Sequence, residues 1–298
     1  MKVVIAGSSG FLGTALRHVL ADDGHEVVRL VRRPARAADE SQWDPYAGTL
    51  DQAVVESADV VVNLAGSSLL GNPHSARFRR TLHDSRVVTT RLLAEAIARS
   101  DRVPAFLAQN GSGWYGDHGD ELLTEDAESH GEAFMTRVCR DWEAATEPAR
   151  EAGSRVCVLR TAPVIDRDSL VTRVQLPLFR LGLGARLSDG RQWFPVVSRR
   201  DWVAAAAFLL EHPTAAGPFN MASPVPPTNA EFTDALADSV HRRAFLVAPA
   251  PVLRLGAGAL APDLLGSYRL VPAALEAAGH HFFDQDVRDV VAAGLAHP

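Results

Sequence analysis

The first hydrophobic positions fall in an unbroken run, Val3-Val4-Ile5-Ala6. A β-branched run without polar alternation is what a strand buried on both faces requires. Glycines follow, and Thr14 to Ala21 then reads as helical, up to the break at Asp22-Asp23-Gly24-His25. Glu26 to Val31 is strand-like again. Lys2 to Arg32 thus reads as strand, glycine turn, helix, strand. That is the length of one βαβ crossover, which is right-handed.

The alternation continues. Asp59 to Leu64 predicts a strand. Arg86 to Ser100 predicts a helix with Leu92, Leu93, Ala96 and Ile97 on one face. Val103 to Ala108 predicts a strand, Phe134 to Arg150 a helix, and Arg155 to Thr161 a strand. Strands alternating with helices imply an α/β fold with a doubly wound parallel sheet. After about Val164 the pattern lapses, interrupted by Pro177, Gly182, Gly184, Gly190, Pro195 and Pro224-Val225-Pro226-Pro227. Helices are expected over Trp202 to Glu211, Asn229 to Val240 and Val252 to Ala261. The expected division is a cofactor-binding part, residues 1–164, whose core strands can run on past 164, and a smaller substrate-side lobe with a small C-terminal domain, residues 165–298.

The seven residues after the first strand carry the candidate chemistry. Gly7-Ser8-Ser9-Gly10-Phe11-Leu12-Gly13 spaces its glycines three apart. Glycine permits a tight turn, a close backbone approach to a pyrophosphate and close helix–strand packing. The following helix N-terminus offers N–H groups and partial positive charge to phosphates. A glycine triplet alone also fits a plain strand-to-helix turn; its place in a βαβ unit favours a dinucleotide. The fold is therefore expected to be Rossmann-type. A carboxylate at the end of the second strand would select NAD, whereas arginine suits the 2′-phosphate of NADP. The chain has Arg32-Arg33 there and no carboxylate before Asp39, so the expected cofactor is NADP.

Composition narrows the class. With 298 residues, 47% of them hydrophobic, the chain has room for one large or two unequal domains. A net charge of −6 gives no basic surplus for nucleic acid. Cys139 and Cys157 form no CxxC pair, which speaks against a disulfide framework or zinc knuckle and fits a reducing cytoplasm. The N-terminal apolar run is only a strand long, too short for a signal peptide. Trp202 to Leu210 is too short to cross a bilayer. A cytoplasmic protein with a small-molecule substrate and neither nucleic-acid nor membrane partners is expected. No metal site is expected either: His280-His281 are adjacent, and no HExxH, GxSxG or Walker turn occurs.

The motifs together resemble the short-chain dehydrogenase/reductase superfamily in its extended, atypical branch. Asn63-Leu64-Ala65-Gly66 matches the family's Asn-x-Ala-Gly after the third core strand. Trp43-Asp44-Pro45, Ser85-Arg86, Trp114-Tyr115-Gly116-Asp117, Trp142-Glu143-Ala144-Ala145, Gly190-Arg191-Gln192-Trp193-Phe194-Pro195 and Thr228-Asn229-Ala230-Glu231-Phe232 look like the nucleoside-diphosphate-sugar epimerase-like subfamily. So does the C-terminal stretch with Val271-Pro272, Leu275 and Gly279. The resemblance spans nearly the whole chain. It implies that Leu64, Ala65 and Gly66 border the cofactor, that Arg86 lies near it, and that Val164 follows the last cofactor-side strand. It is also compatible with a homodimer through exposed helices.

Typical superfamily members use Tyr-x-x-x-Lys with a Ser or Thr: the tyrosine exchanges a proton, the lysine lowers its pKa, and the hydroxyl orients substrate. This chain cannot supply the pair. Its tyrosines are Tyr46, Tyr115 and Tyr268, and its only lysine is Lys2. The corresponding helix reads Phe134-Met135-Thr136-Arg137-Val138-Cys139. Asn110 stands where the first serine would be, with Ser112 two residues on. Asn110, Ser112 and Tyr115 are the catalytic candidates. Tyr115 fits either an acid/base or a packing tyrosine, and Asn110 and Ser112 fit either substrate contacts or turn residues. Arg137 remains a further polar candidate, and Cys139 reads first as a small buried hydrophobe. Trp114, Trp193 and Phe194 suit a flat substrate or a packed core equally. Three functions follow: an NADP-dependent oxidoreductase or epimerase-like enzyme; a non-redox isomerase, cyclase or dehydratase; and a non-catalytic, NADP-binding regulatory protein.

Overall fold

A computed structural model describes residues 1–296 of the chain. Among the described residues the strands are β1 (Lys2–Ala6), β2 (Glu26–Val31), β3 (Glu40–Asp44), β4 (Thr49–Leu50), β5 (Val60–Asn63), β6 (Ala105–Gly111), β7 (Leu122–Leu123), β8 (Val156–Thr161), β9 (Val164–Ile165), β10 (Ala185–Leu187), β11 (Val197–Ser198), β12 (Gly217–Met221), β13 (Leu246–Ala248) and β14 (Arg269–Leu270). The α-helices are α1 (Phe11–Asp22), α2 (Gln52–Glu56), α3 (Ala76–Ala98), α4 (Phe134–Ala144), α5 (Glu147–Glu151), α6 (Leu170–Arg180), α7 (Arg199–Glu211), α8 (Asn229–Ser239), α9 (Ala250–Ala257), α10 (Ala261–Leu265), α11 (Ala273–Ala277) and α12 (Val287–Leu295).

The chain forms two compact units, each drawn from three stretches. One comprises Met1–Asn110, Val138–Leu159 and Ala206–Pro218; the other comprises Gly111–Arg137, Arg160–Ala205 and Phe219–Pro298. The first is built on an eight-stranded sheet in the order β12-β8-β6-β5-β1-β2-β3-β4. Strand β1 pairs in parallel with β2 and β5, β5 with β6, and β2 with β3; only the short β3–β4 pair among these is antiparallel. The chain leaves β1 for β2 on one side and later returns to place β5 on the other. This reversal is the switch point at which doubly wound sheets bind ligands, beyond the carboxyl ends of the strands.

Strands β1 and β5 are almost wholly buried, which explains their unbroken apolar runs. They share a core with Trp43, Val55, Leu93, Ile97, Phe106 and Val158. Burying a Leu, Ile or Phe side chain contributes about 1.5–3 kcal/mol, so this cluster fixes the sheet from which the turns project. The second unit has two cores. Ile165, Leu176, Phe179, Phe232, Leu236 and Val290 form one, and Tyr115, Leu123, Ala162, Tyr268 and Leu270 the other.

Several boundaries differ from the sequence expectation for local reasons. Helix α1 starts at Phe11, three residues early, because extended Gly10 serves as its N-cap. Helix α3 begins at Ala76, where the Ser75 hydroxyl accepts the Phe78 N–H, and not at Arg86. The single helix expected over Phe134 to Arg150 is two, since Pro148 sits in the first turn of α5. Helix α6 was not expected and contains Pro177. The helix expected over Val252 to Ala261 spans Ala250–Ala257 and stops at Gly258, whose φ is +49°.

Candidate functional site

The glycine turn sits at the carboxyl end of β1. Gly7 has φ +79°, and a Cβ there would lie 2.5 Å from the Leu64 carbonyl carbon. A Cβ on Gly13 would lie 2.2 Å from the Gly7 carbonyl oxygen. The turn thus presses on two neighbours, and glycine is required at both places. The Gly10 N–H donates to the Gly7 carbonyl at 3.0 Å. Helix α1 has no side-chain cap and no acidic residue in its first turn. Its N-terminal charge is therefore uncovered, and these residues fit the phosphates of a dinucleotide.

Register brings three chain segments to this turn. Ala6 pairs with Leu30 on one side and Asn63 on the other, so Gly7, Arg32 and Leu64 emerge together. The Leu64 N–H donates to the Ala6 carbonyl at 2.9 Å. Asn63, fully buried, steers the strip beyond it. Its Oδ1 accepts the Ala65 N–H at 3.0 Å, and its Nδ2 donates to the Thr90 hydroxyl at 2.8 Å. The Trp142 indole N–H donates to that same hydroxyl at 2.8 Å. Sequence reasoning found Asn63 as part of a motif but assigned it no task.

The two arginines after β2 differ in what they hold. Arg33 donates to both carboxylate oxygens of Glu40, each at 2.7 Å. Arg29 takes Asp39 at 2.7 and 2.9 Å. The Arg33 hydrogen bonds, with help from the Arg36 N–H, hold the Glu40 carboxyl down at about 2. Both nearby carboxylates are thereby neutralised. Arg32 is exposed and makes no ion pair among the described residues.

Arg86, on α3, is 8% exposed. Its guanidinium donates to the Leu82 carbonyl at 3.0 Å and the Ser67 carbonyl at 3.3 Å, and lies 5.3 Å from the centre of the Trp142 ring. Its Cζ would be 3.7 Å from a Cβ on Gly66. Burial lowers its pKa, and among the described residues no carboxylate pairs with it. Gly66 and Arg86 are thus neighbours.

The catalytic candidates fare unequally. Asn110 is 1% exposed, and its Nδ2 donates to the Cys139 carbonyl at 3.1 Å and to Glu143 Oε2 at 3.3 Å. Its amide is occupied in tying β6 to α4. Ser112 opens a single 3-10 turn, Ser112–Trp114, and is half-buried. Its hydroxyl has no protein partner among the described residues, which leaves it available to a ligand.

Tyr115 is 0% exposed. Its hydroxyl donates to Asn220 Oδ1 at 2.7 Å and accepts from Arg160 at 3.0 Å. Burial pushes its pKa up to about 12, against the pull of Arg160. An acid/base tyrosine needs a free hydroxyl and a pKa near the working pH. Tyr115 has neither here, so of its two readings the geometry fits the packing tyrosine.

The same unit carries a polar network that the sequence did not signal. Arg160 stacks on Trp114, 3.4 Å from the ring centre. Glu125 accepts the Asn220 and Ala274 N–H groups at 2.9 and 3.1 Å, while burial raises its pKa. Val164 opens β9, after β8, and pairs with Val197 of β11. Trp193 donates its indole N–H to Asp120 at 3.0 Å and faces Arg269, and Phe194 packs on Phe232. Arg137, in the same unit, donates to the Glu132 carbonyl at 2.7 Å.

On α4, Val138 and Cys139 are each 1% exposed. The lone lysine, Lys2, stands at the other end of β1 and pairs with Glu26 at 3.3 Å. Among the described residues no helix is long and apolar enough to cross a membrane, and no group of three His, Cys, Asp or Glu could hold a metal ion.

A parallel sheet with its switch point at a glycine turn defines a dinucleotide-binding protein. The chain belongs to the NAD-dependent epimerase/dehydratase family, whose model matches residues 3–222; a domain of unknown function (DUF1731) matches residues 248–293. An epimerase family protein of Mycobacterium leprae is 37% identical over 297 residues, covering 99% of this chain and 96% of its own length. The crystal structure of human epimerase family protein SDR39U1 (isoform 2) with NADPH superposes with a TM-score of 0.88 at 30% identity, covering 98% of both chains. The nucleoside-diphosphate sugar epimerase of Corynebacterium glutamicum superposes with a TM-score of 0.81 at 34% identity, over 99% of this chain and 58% of that one.

Proposed function

We propose that the chain is an NADP(H)-dependent oxidoreductase or epimerase-like enzyme acting on a small molecule. The observation that carries the cofactor choice is the free Arg32 beside a glycine turn, with Asp39 and Glu40 both held by other arginines. A guanidinium with no carboxylate partner matches a 2′-phosphate, and clamped carboxylates do not compete for a ribose hydroxyl. The NADPH in the human relative's structure supports the same choice. Residues 1–164 are assigned to cofactor binding and 165–298 to the substrate. Two buried cysteines that form no disulfide fit a cytoplasmic setting.

When bound, the dinucleotide supplies a hydride donor or acceptor. The chain's own part is to position and orient. The α1 N-terminus binds phosphate, Leu64 to Gly66 and Arg86 border the cofactor, and the Ser112 hydroxyl donates to a substrate oxygen. With Tyr115 committed to Arg160 and Asn220 and Lys2 paired with Glu26, the usual Tyr–Lys proton relay has no members here. That favours, as a second reading, a non-redox isomerase, cyclase or dehydratase on the same cofactor-holding frame.

The test is in two stages. NADPH and NADH are titrated by fluorescence, and absorbance at the nicotinamide band is then followed with carbonyl compounds and sugar nucleotides. Tighter NADPH binding and a substrate-dependent absorbance change are expected. Equal affinity for the two cofactors overturns the NADP assignment. Binding without any absorbance change, with product still formed, transfers the assignment to the non-redox reading.

A further inference from the structure

The segments Leu170 to Leu187 and His241 to Leu260 contain six arginines and no Asp or Glu, in a chain whose 36 acidic residues outnumber its 30 basic ones. Both segments lie in the second unit. They are contiguous in space. Strands β10 and β13 pair in parallel, Ala185 opposite Leu246, and the Arg242 Nε donates to the Arg180 carbonyl at 3.2 Å. Arg186 is paired with Asp234. Arg173, Arg180, Arg242, Arg243 and Arg254 are exposed and make no ion pair among the described residues.

Apolar side chains stand among these charges. Phe245 is 78% exposed, Leu255 79% and Leu181 73%. Val247 and Val252 are exposed with them. Helix α9 has no buried residue at all, though it carries Val252 and Leu255. An open cleft of about 470 Å³ is lined by Gly182, Asp238, His241, Arg242, Arg243 and Phe245, and its one carboxylate, Asp238, is paired with Arg288 at 3.0 Å. Leu181 and Phe245 flank the Arg180–Arg242 bond and the cleft, and α9 follows directly on β13; large exposed apolar side chains grouped along such a stretch mark an interaction surface.

We propose that this face docks on an anionic lipid surface, with Phe245, Leu255 and Leu181 entering the acyl boundary and the arginines meeting lipid phosphates. Charge and arrangement select that occupant. A second copy docking through the same face would set five unpaired arginines against their own equivalents. A protein hot spot is a dry apolar centre with its charges moved to the rim. Here the charges are interleaved, as in Arg242-Arg243-Ala244-Phe245 and Val252-Leu253-Arg254-Leu255. Interleaving suits the headgroup layer, where an arginine stem lies along apolar surface while its head stays at the phosphates. The proposal does not depend on the cofactor assignment. It runs against the sequence expectation of no membrane partner, and it requires no membrane-spanning helix.

Co-sedimentation of the full chain with vesicles tests it. The two compositions are phosphatidylcholine alone and phosphatidylcholine with about a third phosphatidylglycerol. Sedimentation with the anionic vesicles only, reversed by salt, is expected. Arg242→Glu with Arg243→Glu, and separately Phe245→Ser with Leu255→Ser, are each expected to lower the bound fraction about tenfold. Because all four positions are exposed, unchanged circular dichroism and unchanged NADPH binding are expected to show that both variants fold. Absence of sedimentation with anionic vesicles, or variants that bind as well as the parent chain, overturns the proposal. Binding to soluble polyglutamate without binding to vesicles also overturns it, in favour of an acidic protein partner.

Discussion

Arg33 grips both carboxylate oxygens of Glu40 at 2.7 Å, and this pair leaves the adjacent Arg32 as the cation without a carboxylate at the end of β2. The two arginines are neighbours in sequence but not equivalent in charge. Arg32→Asp is expected to weaken NADPH binding by about ten- to a hundredfold, the loss of one charge-assisted contact of about 1.5–3 kcal/mol. NADH binding should change far less. Arg33→Ala should instead leave Glu40 to Arg29 at 3.1 Å and the Arg36 N–H alone, a less fully neutralised carboxylate that shifts the NADPH/NADH preference in the same direction but more weakly. Fluorescence titration of both cofactors checks this, and equal losses for the two would refute the role given to Arg32.

The glycine turn makes a graded steric prediction. A Cβ on Gly13 would sit 2.2 Å from the Gly7 carbonyl oxygen, whereas one on Gly10 would sit 3.2 Å from the same atom. Gly13→Ala must move backbone and should cost about 1–3 kcal/mol, with NADPH binding lost. Gly10→Ala asks for a shift of a few tenths of an ångström, and its stability cost should stay below about 1 kcal/mol. Thermal melting paired with cofactor titration separates the two. Equal destabilisation would contradict the geometry.

Tyr115 is expected to matter for folding and not for proton transfer. Tyr115→Phe strands the buried Asn220 Oδ1 and removes an acceptor from Arg160. Leaving such groups unsatisfied costs about 1–3 kcal/mol. The melting temperature should fall by several degrees, while NADPH affinity and the pH profile of any turnover stay as in the parent chain. A lost alkaline or acidic limb in that profile would restore the acid/base reading.

How far the sequence reached depends on how local each signal is. Strand β2 was placed at its observed bounds, and the glycine turn with it, because the run, the turn and the following helix lie within one crossover. The start of α3 was missed. Arg77, Arg79 and Arg80 hide its apolar positions, although Ser75 offered a capping signal. Helix α6 was missed because Pro177 reads as a breaker, yet the helix accommodates it. At the site, the difference between Arg32 and Arg33 lies in which guanidinium reaches Glu40, and composition does not encode that. Tyr115 meets Arg160 and Asn220 across 45 and 105 residues of chain, a partnership with no trace in local spacing.

His83 gives a prediction in pH. It stands on α3 with Nδ1 3.0 Å from Asp84 and Nε2 3.1 Å from Asp141 of α4. Burial opposes its charge, but the hydrogen bonds to Asp84 and Asp141 outweigh that, and its pKa is raised above the ordinary 6.5. A histidine whose folded pKa is raised stabilises the fold fully below its unfolded pKa. That contribution is lost as pH rises through the folded value. The parent chain should therefore exceed His83→Asn in melting temperature at about pH 5.5, and the gap should close by about pH 8.5. The ring is more than a third exposed, so the gap should also shrink with added salt. A difference between parent and variant that is the same at both pH values would mean that His83 joins α3 to α4 through neutral packing alone.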